Sequence, residues 1–432
     1  MRYYIETLGC PKNHVDSEKL AGRLASQGYE PAASPEEADL VVANTCAFIE
    51  AAREESIETV LDLVDRRRGG ARVVVTGCMA ERYGDELAEA LPEVDLVAGF
   101  GVDLVPEVTP VTLRRRPVPS FDLLNLPRPA RATPWAYLKV AEGCDRRCGF
   151  CAIPSFRGDQ RSRRVEDVLE EARALAASGA REIVLVAQDL ASYGLDRRER
   201  GSAGAIEALE AGSRQPLVDL VARLREEVEW VRLLYLYPSG LTSTLIDAVL
   251  ATGVPYFDLS LQHVSRPLLR RMRRWGDGER FLERIAATRG RDPRATFRSS
   301  FILGYPGETE EDHARLLDFL EEAQLDWAGF FTYSAEDGTY AADLDDAVDR
   351  ELALARLREA SEVQDAITAR RRDALVGTRT RLLVDAPGVA RSVRECPEID
   401  GVVYLDSTVP VGTFVEATIV ASRGTDLEAV VA

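Results

Sequence analysis

Glu142-Gly-Cys-Asp-Arg-Arg-Cys-Gly-Phe-Cys151 is the stretch on which the reading of this chain turns. It sets Cys144, Cys148 and Cys151 in a C-x3-C-x2-C spacing, with Phe150 just before the last cysteine. Three thiolates that close together in one loop can hold three corners of one iron–sulfur cube. A fourth cysteine at ferredoxin spacing is missing, so the fourth iron would keep a position open for another ligand. The competing reading is a zinc knot or three idle thiols. Zinc usually takes four ligands from paired C-x2-C units, and no second pair lies nearby. The loop follows an apolar run from Trp135 to Val140, which places it at the end of a strand.

The spacing is that of the radical S-adenosylmethionine (SAM) enzymes, which this stretch resembles. In that superfamily the open iron takes the amino and carboxylate groups of SAM. The chain around the loop is long enough, at 432 residues, for two to four domains. Its hydrophobic content of 46% and charged content of 29% are ordinary for a globular protein. No apolar run approaches the ~18 residues of a membrane helix. The start, Met-Arg-Tyr-Tyr-Ile-Glu, reads as a strand rather than a signal peptide. Seven cysteines without a compact disulfide pattern fit a reducing compartment, the cytoplasm. The net charge of −18 disfavours nucleic acid at long range and favours basic partners. Three lysines stand among 54 basic residues, a bias without functional content at this level.

Upstream, residues 1–105 repeat one pattern: an apolar strand, a cysteine, a helix. The expected strands are Tyr3–Leu8, Leu40–Ala43 and Arg72–Val75, each followed within three residues by Cys10, Cys46 or Cys78. The expected helices are Val15–Gln27, Ala47–Arg67 and Glu81–Leu91, and a short fourth strand lies at Leu96–Gly99. Alternation of strand and helix predicts a parallel, doubly wound sheet, whose ligands bind at the carboxyl ends of its strands. One cysteine there would be a small hydrophobe. Three in one register read better as ligands of a second cluster, again with one iron open. Residues 106–133 are expected to be a Pro-rich linker. The span from Pro106 to Pro134 holds seven of 21 prolines, and it includes the run Arg114-Arg115-Arg116, read as a solvated charge run.

Downstream, residues 134–373 alternate strand and helix six times. Strands are expected at Trp135–Ala141, Glu182–Ala187, Val231–Tyr237, Tyr256–Leu261, Phe297–Leu303 and Gly329–Tyr333. Helices are expected at Val165–Ser178, Pro216–Glu227, Leu245–Ala251, Gly278–Arg289, Glu310–Ala323 and Arg350–Leu375. Six βα units predict a partial TIM-type barrel, with chemistry at the strands' carboxyl ends. Residues 196–215 look like a variable surface loop. Gln188, Asp189 and Gln262 close strands at that edge and are candidates for the ribose or amino acid part of SAM. Gly304, Pro306, Gly307 and Glu308 form a turn that either cradles the adenosyl part or simply joins strand to helix. His263 is either a proton donor or a structural histidine. Cys396, in a Pro-flanked loop, reads as a thiol without a role, and Tyr193, Trp275 and Trp327 as packing residues. Residues 374–432 show short strands at Arg379–Val384, Gly401–Leu405 and Phe414–Val420 between Pro and Gly turns, a small antiparallel β-barrel. That segment carries five basic and eight acidic residues, a net of −3.

The order of the three parts resembles the radical SAM methylthiotransferases over nearly the whole chain. Two branches are close: one (MiaB type) modifies adenosine in tRNA, the other (RimO type) an aspartate of small-subunit ribosomal protein S-twelve. The second is matched by Thr7-Leu-Gly-Cys-Pro-Lys-Asn13, Val15-Asp-Ser-Glu18, Glu142-Gly-Cys, Cys151-Ala-Ile-Pro-Ser-Phe-Arg-Gly158, Leu261-Gln-His263 and Pro397-Glu-Ile-Asp-Gly401. Cys396, where that branch usually has Ala, and the short hairpin near Pro387 depart from it. The resemblance implies two 4Fe-4S clusters, SAM, an external electron donor and a C-terminal TRAM-like domain. It implies that the cluster on Cys144, Cys148 and Cys151 reduces SAM to a 5′-deoxyadenosyl radical, which takes hydrogen from the aspartate β-carbon. A methylated sulfur held on the Cys10, Cys46 and Cys78 cluster then attacks that carbon, and a second SAM supplies the methyl. The alternatives are the same chemistry on tRNA, or a non-enzymatic ribosome-binding iron–sulfur protein. The acidic balance favours a basic ribosomal protein as partner over RNA.

Overall fold

A computed structural model describes residues 1–100, 121–129, 133–197 and 215–432. The expected Arg114–Arg116 run and nearly all of the 196–215 loop lie outside the described residues. The described residues form two compact units. One takes in those within Met1–Ala130, with Lys139–Arg146 and Cys151–Arg163; the other takes in those within Arg131–Leu138, Arg147–Phe150 and Arg164–Ala432.

The first unit is built on five strands: β1 (Arg2–Thr7), β2 (Glu30–Pro31), β3 (Leu40–Thr45), β4 (Arg72–Gly77) and β5 (Leu96–Val97). Their order is β2-β1-β3-β4-β5 and all pairings are parallel. This is the doubly wound arrangement, with its topological switch point between β1 and β3. Every residue of β3 is buried, as expected of a strand covered on both faces. Helices α1 (Pro11–Ser26), α2 (Glu50–Arg66) and α3 (Cys78–Ala90) cover it. Val60, Leu63 and Met79 pack with Val41, Val73 and Val75 on one face, while Leu20 and Leu24 pack with Val42 and Val74 on the other. Strand β2 escapes the sequence pattern because two residues with a proline show no periodicity.

Part of the expected linker is ordered structure. Residues Phe121–Leu124 form a helical turn, α4, with Leu123 and Leu124 buried. The following residues lie on α1: Lys19 Nζ donates to the Leu126 carbonyl at 2.5 Å, and Arg128 pairs with Glu18 at 2.5 Å. Gly22 permits this, since a Cβ there would meet the Pro127 carbonyl oxygen at 2.1 Å. Proline content signalled a linker, but docking depends on a missing side chain on another element.

The second unit contains β6 (Trp135–Lys139, all but its last residue), β9 (Glu182–Val186) and β10 (Trp230–Leu233) in one sheet, and β11 (Tyr256–Gln262), β12 (Thr296–Leu303) and β13 (Trp327–Thr332) in another. Sheet orders are β10-β9-β6 and β11-β12-β13, joined by a parallel bridge from Leu236 to Leu259. The short β7 (Ala141–Glu142) and β8 (Arg161–Ser162) pair antiparallel within the first unit. Helices α6 (Val165–Ala177), α7 (Pro216–Leu224), α8 (Ser243–Ala251), α9 (Arg266–Arg271), α10 (Gly278–Arg291), α11 (Glu310–Ala323) and α12 (Arg350–Asp373) belong to the second unit, and α5 (Ile153–Arg157) to the first. The third expected strand, Val231–Tyr237, stops early at Leu233, because Tyr235 sits at φ 62° and turns its N–H to Asp258 Oδ2 at 2.8 Å. Helix starts follow capping chemistry: Thr309 and Asp312 form a reciprocal capping box on α11. No described helix is long and apolar enough to cross a membrane.

The C-terminal strands β14 (Arg379–Ala386), β15 (Val389–Arg391), β16 (Val403–Tyr404), β17 (Phe414–Arg423) and β18 (Asp426–Val431) close into a barrel in the order β14-β15-β16-β18-β17. Four pairings are antiparallel, and β16 with β18 is parallel. The sequence pattern passed over β15 and β18. Its core is Leu382, Val384, Val403, Ala417, Ile419 and Leu427.

Candidate functional site: two cysteine trios and a buried charge quartet

Register sets the first trio. Thr7 lies opposite Asn44, and Thr45 opposite Gly77, so the chain leaves β1, β3 and β4 at one level and reaches Cys10, Cys46 and Cys78. Cys10 caps the N-terminus of α1 and Cys78 opens α3. Gly9, at φ 91°, is compelled by closeness: a Cβ there would meet Cys46 Sγ at 2.9 Å. Asn13 ties the strand ends together. Its Nδ2 donates to the Leu8 carbonyl at 2.8 Å and the Thr45 carbonyl at 3.2 Å, and its N–H donates to the Cys10 carbonyl at 2.8 Å. Asn44 braces it in turn, donating to the Asn13 carbonyl and to Ser17 Oγ, both at 2.9 Å.

The three thiols sense one another. Burial, then Cys10 and Cys78, push Cys46 up to about 12. Burial also raises Cys78, against the Arg157 charge. Burial acts on Cys10 as well, but Lys12, the Asn13 N–H and Arg157 outweigh it and hold that thiol below its ordinary value. Such a set, buried and mutually repelling as thiolates, suits a polynuclear iron centre that supplies the missing positive charge. Among the described residues no three His, Cys, Asp or Glu side chains converge closely enough to share a single metal ion. A tetrahedral zinc would need sulfurs about 3.8 Å apart, given a Zn–S bond of ~2.3 Å.

Against this trio lies a buried quartet of charges. Arg157 Nη1 meets Asp16 Oδ2 at 3.1 Å and Glu142 Oε2 at 3.0 Å; its Nη2 donates to Asn13 Oδ1 and to Cys78 Sγ, both at 3.0 Å. Lys139 Nζ reaches Asp16 Oδ1 at 2.5 Å and also bridges to Glu142. Arg157 lies 4.0 Å over the Phe100 ring. All four charged residues are nearly inaccessible. Burial alone would raise the Glu142 carboxyl; Arg157 and Lys139 outweigh it and hold it well below the usual range. Sequence reasoning missed Asn13, Asp16, Lys139 and Arg157 as site residues, although the first, second and fourth stood in quoted motifs. Lys139 offered its own signal: a charge interrupting the apolar run of β6.

The C-x3-C-x2-C loop keeps Cys144, Cys148 and Cys151 within eight residues of chain. In the first unit, the Cys144 N–H donates to the Gly158 carbonyl at 3.0 Å, and its sulfur accepts from the Arg146 N–H at 3.4 Å. In the second, Arg274 Nη1 donates to Cys148 Sγ at 3.0 Å while stacking on Tyr237, 4.4 Å from the ring centre. N–H donors aimed at sulfur stabilise the thiolate form a cluster requires. Phe150 is half-buried beside Gly149, whose N–H donates to the Met272 carbonyl and whose carbonyl accepts from Ala341. None of the seven cysteines is in a disulfide.

The remaining candidates separate. Gln188 is half-buried at the end of β9, and Asp189 is buried, accepting from Ser192 Oγ at 2.6 Å. Gln262 ends β11 at φ 70°. The turn at 304–308 is held by its own acid: Glu308 Oε2 accepts the N–H groups of Gly304 and Tyr305, and Arg356 pairs with it at 3.3 Å. Gly304 and Gly307 give room to Ala353 and Arg271, while Pro306 is buried between them. His263 is fully buried, takes the Ser265 N–H on Nδ1 at 3.0 Å, and is driven down to about 4 by burial. Its burial and the bond on Nδ1 fit the structural reading of this histidine. Cys396 lies in its Pro-flanked loop but is fully buried, and burial raises its thiol well above the ordinary value. Tyr193 is buried; Trp275 packs on Phe281, and Trp327 Nε1 donates to the Arg394 carbonyl at 2.9 Å.

The C-terminal barrel lacks the basic face that Arg391 and Arg394 could have formed. Arg391 is buried, with Nη1 on Glu182 Oε2 at 2.7 Å and Nη2 on Asp385 Oδ1 at 3.0 Å. Arg394 turns toward Thr296 and Asp326. Arg381 and Arg423 each pair with a glutamate.

Family models match this chain in three places: the "Uncharacterized protein family UPF0004" over residues 2–99, the radical SAM superfamily over 138–320, and the TRAM domain over 376–432. The chain is 44% identical to the ribosomal protein uS12 methylthiotransferase RimO of Nocardioides sp., covering 98% of this chain and 95% of that one. The chain belongs to the RimO-type methylthiotransferases. The like-named protein of Cutibacterium acnes is 42% identical, over 99% of this chain and 98% of the relative. Among solved structures, the radical SAM methyltransferase TsrM of Kitasatospora setae, with cobalamin and a [4Fe-4S] cluster bound, shares the fold at a TM-score of 0.50. It covers 90% of this chain and 79% of its own, at 14% identity. As a radical SAM methylthiotransferase the chain is an enzyme that uses SAM and an iron–sulfur cluster.

Proposed function

We propose that the chain methylthiolates the β-carbon of an aspartate in small-subunit ribosomal protein uS12. One observation carries this reading: three strand-end cysteines drawn together around Asn13, in a chain that also holds the C-x3-C-x2-C loop and aligns end to end with uS12 methylthiotransferases. On this reading Cys144, Cys148 and Cys151 hold one four-iron cluster, whose open iron takes SAM, and Cys10, Cys46 and Cys78 hold a second. When bound, the clusters supply one-electron reduction of SAM and a thiophilic iron for sulfur, chemistry that side chains alone do not offer.

The chain's own residues supply position and electrostatics. Asn13 fixes the spacing of the β1 and β3 ends, and so of Cys10 and Cys46. Arg157 puts a hydrogen bond and a buried positive charge on Cys78, and Arg274 does the same for Cys148. Phe150, Gln188, Asp189, Gln262 and the Gly304–Glu308 turn stand as SAM contacts at the strands' carboxyl ends. The acidic C-terminal barrel, with Arg391 and Arg394 turned inward, suits a basic protein better than RNA. An external electron donor and a reducing compartment such as the cytoplasm accompany the scheme. Mass spectrometry of ribosomal proteins from cells with and without this chain tests it. A gain of one SCH3 on uS12 is expected; an unchanged uS12 with a modified tRNA would overturn the choice of substrate.

A further inference from the structure

Helix α12 ends in Arg370, Arg371 and Arg372, in a chain whose net charge is −18. These three, with Arg394, Asp326 and Trp327 among their neighbours, line a cavity of about 340 Å³. Asp326 is the single carboxylate on its wall, and it is shared. Arg371 reaches it at 2.7 Å, Arg289 at 3.3 Å and Arg394 at 3.9 Å, and one of its oxygens also accepts the Phe297 N–H at 2.9 Å. Arg372 pairs with Glu395, and Arg370 with Glu321 at 2.9 Å. Four arginines line the cavity and a fifth, Arg289, reaches Asp326 from outside its wall; together they have three carboxylates as ion-pair partners.

Arg289 and Arg394 lie below the ordinary guanidinium range, first through burial and then, against Asp326, through the charge of Arg371. Arg372 is almost wholly buried, yet its Nε and Nη2 have no acceptor, and neither has Arg289 Nε. A buried donor left without a partner costs ~1–3 kcal/mol, more when charged. The Trp327 ring, 5.1 Å from the Arg372 guanidinium, attracts the charge but accepts none of these hydrogen bonds in the usual sense. A small anion with more than one negative charge and several acceptor oxygens would match this surplus of guanidinium groups. A carboxylate carries one charge and two oxygens; a phosphate group carries up to two charges and three strong acceptors. Arginine forks bind that shape bidentately.

We propose that this cavity is a phosphate-binding site, taking inorganic phosphate or a phosphate monoester. The proposal concerns a site apart from both cysteine trios. It does not rest on the uS12 reading, and methylthiolation is not the readout. Titration calorimetry of the full-length chain with inorganic phosphate, against sodium chloride at matched ionic strength, should show saturable binding. Arg371→Gln with Arg394→Gln should weaken it at least ~tenfold, the loss of charge-assisted hydrogen bonds. Asp326→Asn releases Arg371 from its competing carboxylate and should tighten binding, a result that a purely structural ion-pair network would not give; circular dichroism verifies that each variant is folded. A small phosphate monoester and the matching diester then test the need for a second negative charge. The monoester should compete with phosphate and lose that competition in the same double variant; competition by the diester as strong as by the monoester overturns the assignment. No binding beyond chloride, or binding that the double variant leaves unchanged, overturns the proposal and leaves the uS12 reading untouched.

Discussion

Replacing Arg157 by Met tests the buried quartet directly. In the native unit Arg157 and Lys139 balance Asp16 and Glu142, so four charges sum to zero out of water. Arg157→Met removes the ion pairs at 3.1 and 3.0 Å and leaves two carboxylates sharing one ammonium. Breaking a buried pair by deleting one partner costs ~3–5 kcal/mol, mostly through the charge left behind. Loss of the guanidinium over Phe100 adds ~0.5–2 kcal/mol, part of which the Met side chain returns by packing. The expected total is about 4 kcal/mol, a large share of the ~5–15 kcal/mol typical of a folded domain. Arg157→Lys keeps the charge and loses the fork, so it should cost ~1–2 kcal/mol. Adding Glu142→Gln to Arg157→Met neutralises the orphan and should recover part of the loss, a coupling that a double-mutant cycle isolates. The assay is urea unfolding of reduced, iron-free protein followed by far-ultraviolet circular dichroism. All four tryptophans fall in the second unit, so tryptophan fluorescence serves as the internal control. A loss below ~1 kcal/mol for Arg157→Met, or no recovery on adding Glu142→Gln, would refute the account of the quartet.

Anaerobically reconstituted protein should carry about eight irons, as two cubane clusters would, and Ala at Cys144, Cys148 and Cys151 should leave about half. Ala at Cys10, Cys46 and Cys78 should leave SAM cleavage measurable while sulfur insertion stops; methylthiolated product from that variant would disprove the division of labour. His263 binds its proton near pH 4 in the folded chain and near 6.5 when unfolded, so stability should fall as pH drops between those values, by up to about 3 kcal/mol. His263→Gln should flatten that part of the urea-midpoint profile, and an equally steep profile in the variant would exclude this histidine as its source. Removing residues 374–432 should weaken binding of the basic ribosomal protein at low salt and leave tRNA binding at background; tight tRNA binding lost with that segment would reverse the assignment of partner.

Much of this chain was legible because its signals are local. A strand followed by a cysteine and a helix needs only periodicity and a turn, and β1, β3, β4 and α1 to α3 fall close to where the pattern put them. The family followed from spacings inside single loops, since C-x3-C-x2-C is set by the reach of a few residues. What only the tertiary structure decided is how groups distant in sequence share charge. The scarcity of lysine looked like plain composition, yet Lys12, Lys19 and Lys139 are all buried. At Lys139 the reason is visible: a compact ammonium fits between Asp16 and Glu142. Arg157 and Arg391 illustrate the same limit from the other side. Sequence shows an arginine and its neighbours along the chain. Whether it forms a basic surface or a buried counter-charge depends on carboxylates 141 and 209 residues away, and only folding brings those within hydrogen-bond distance.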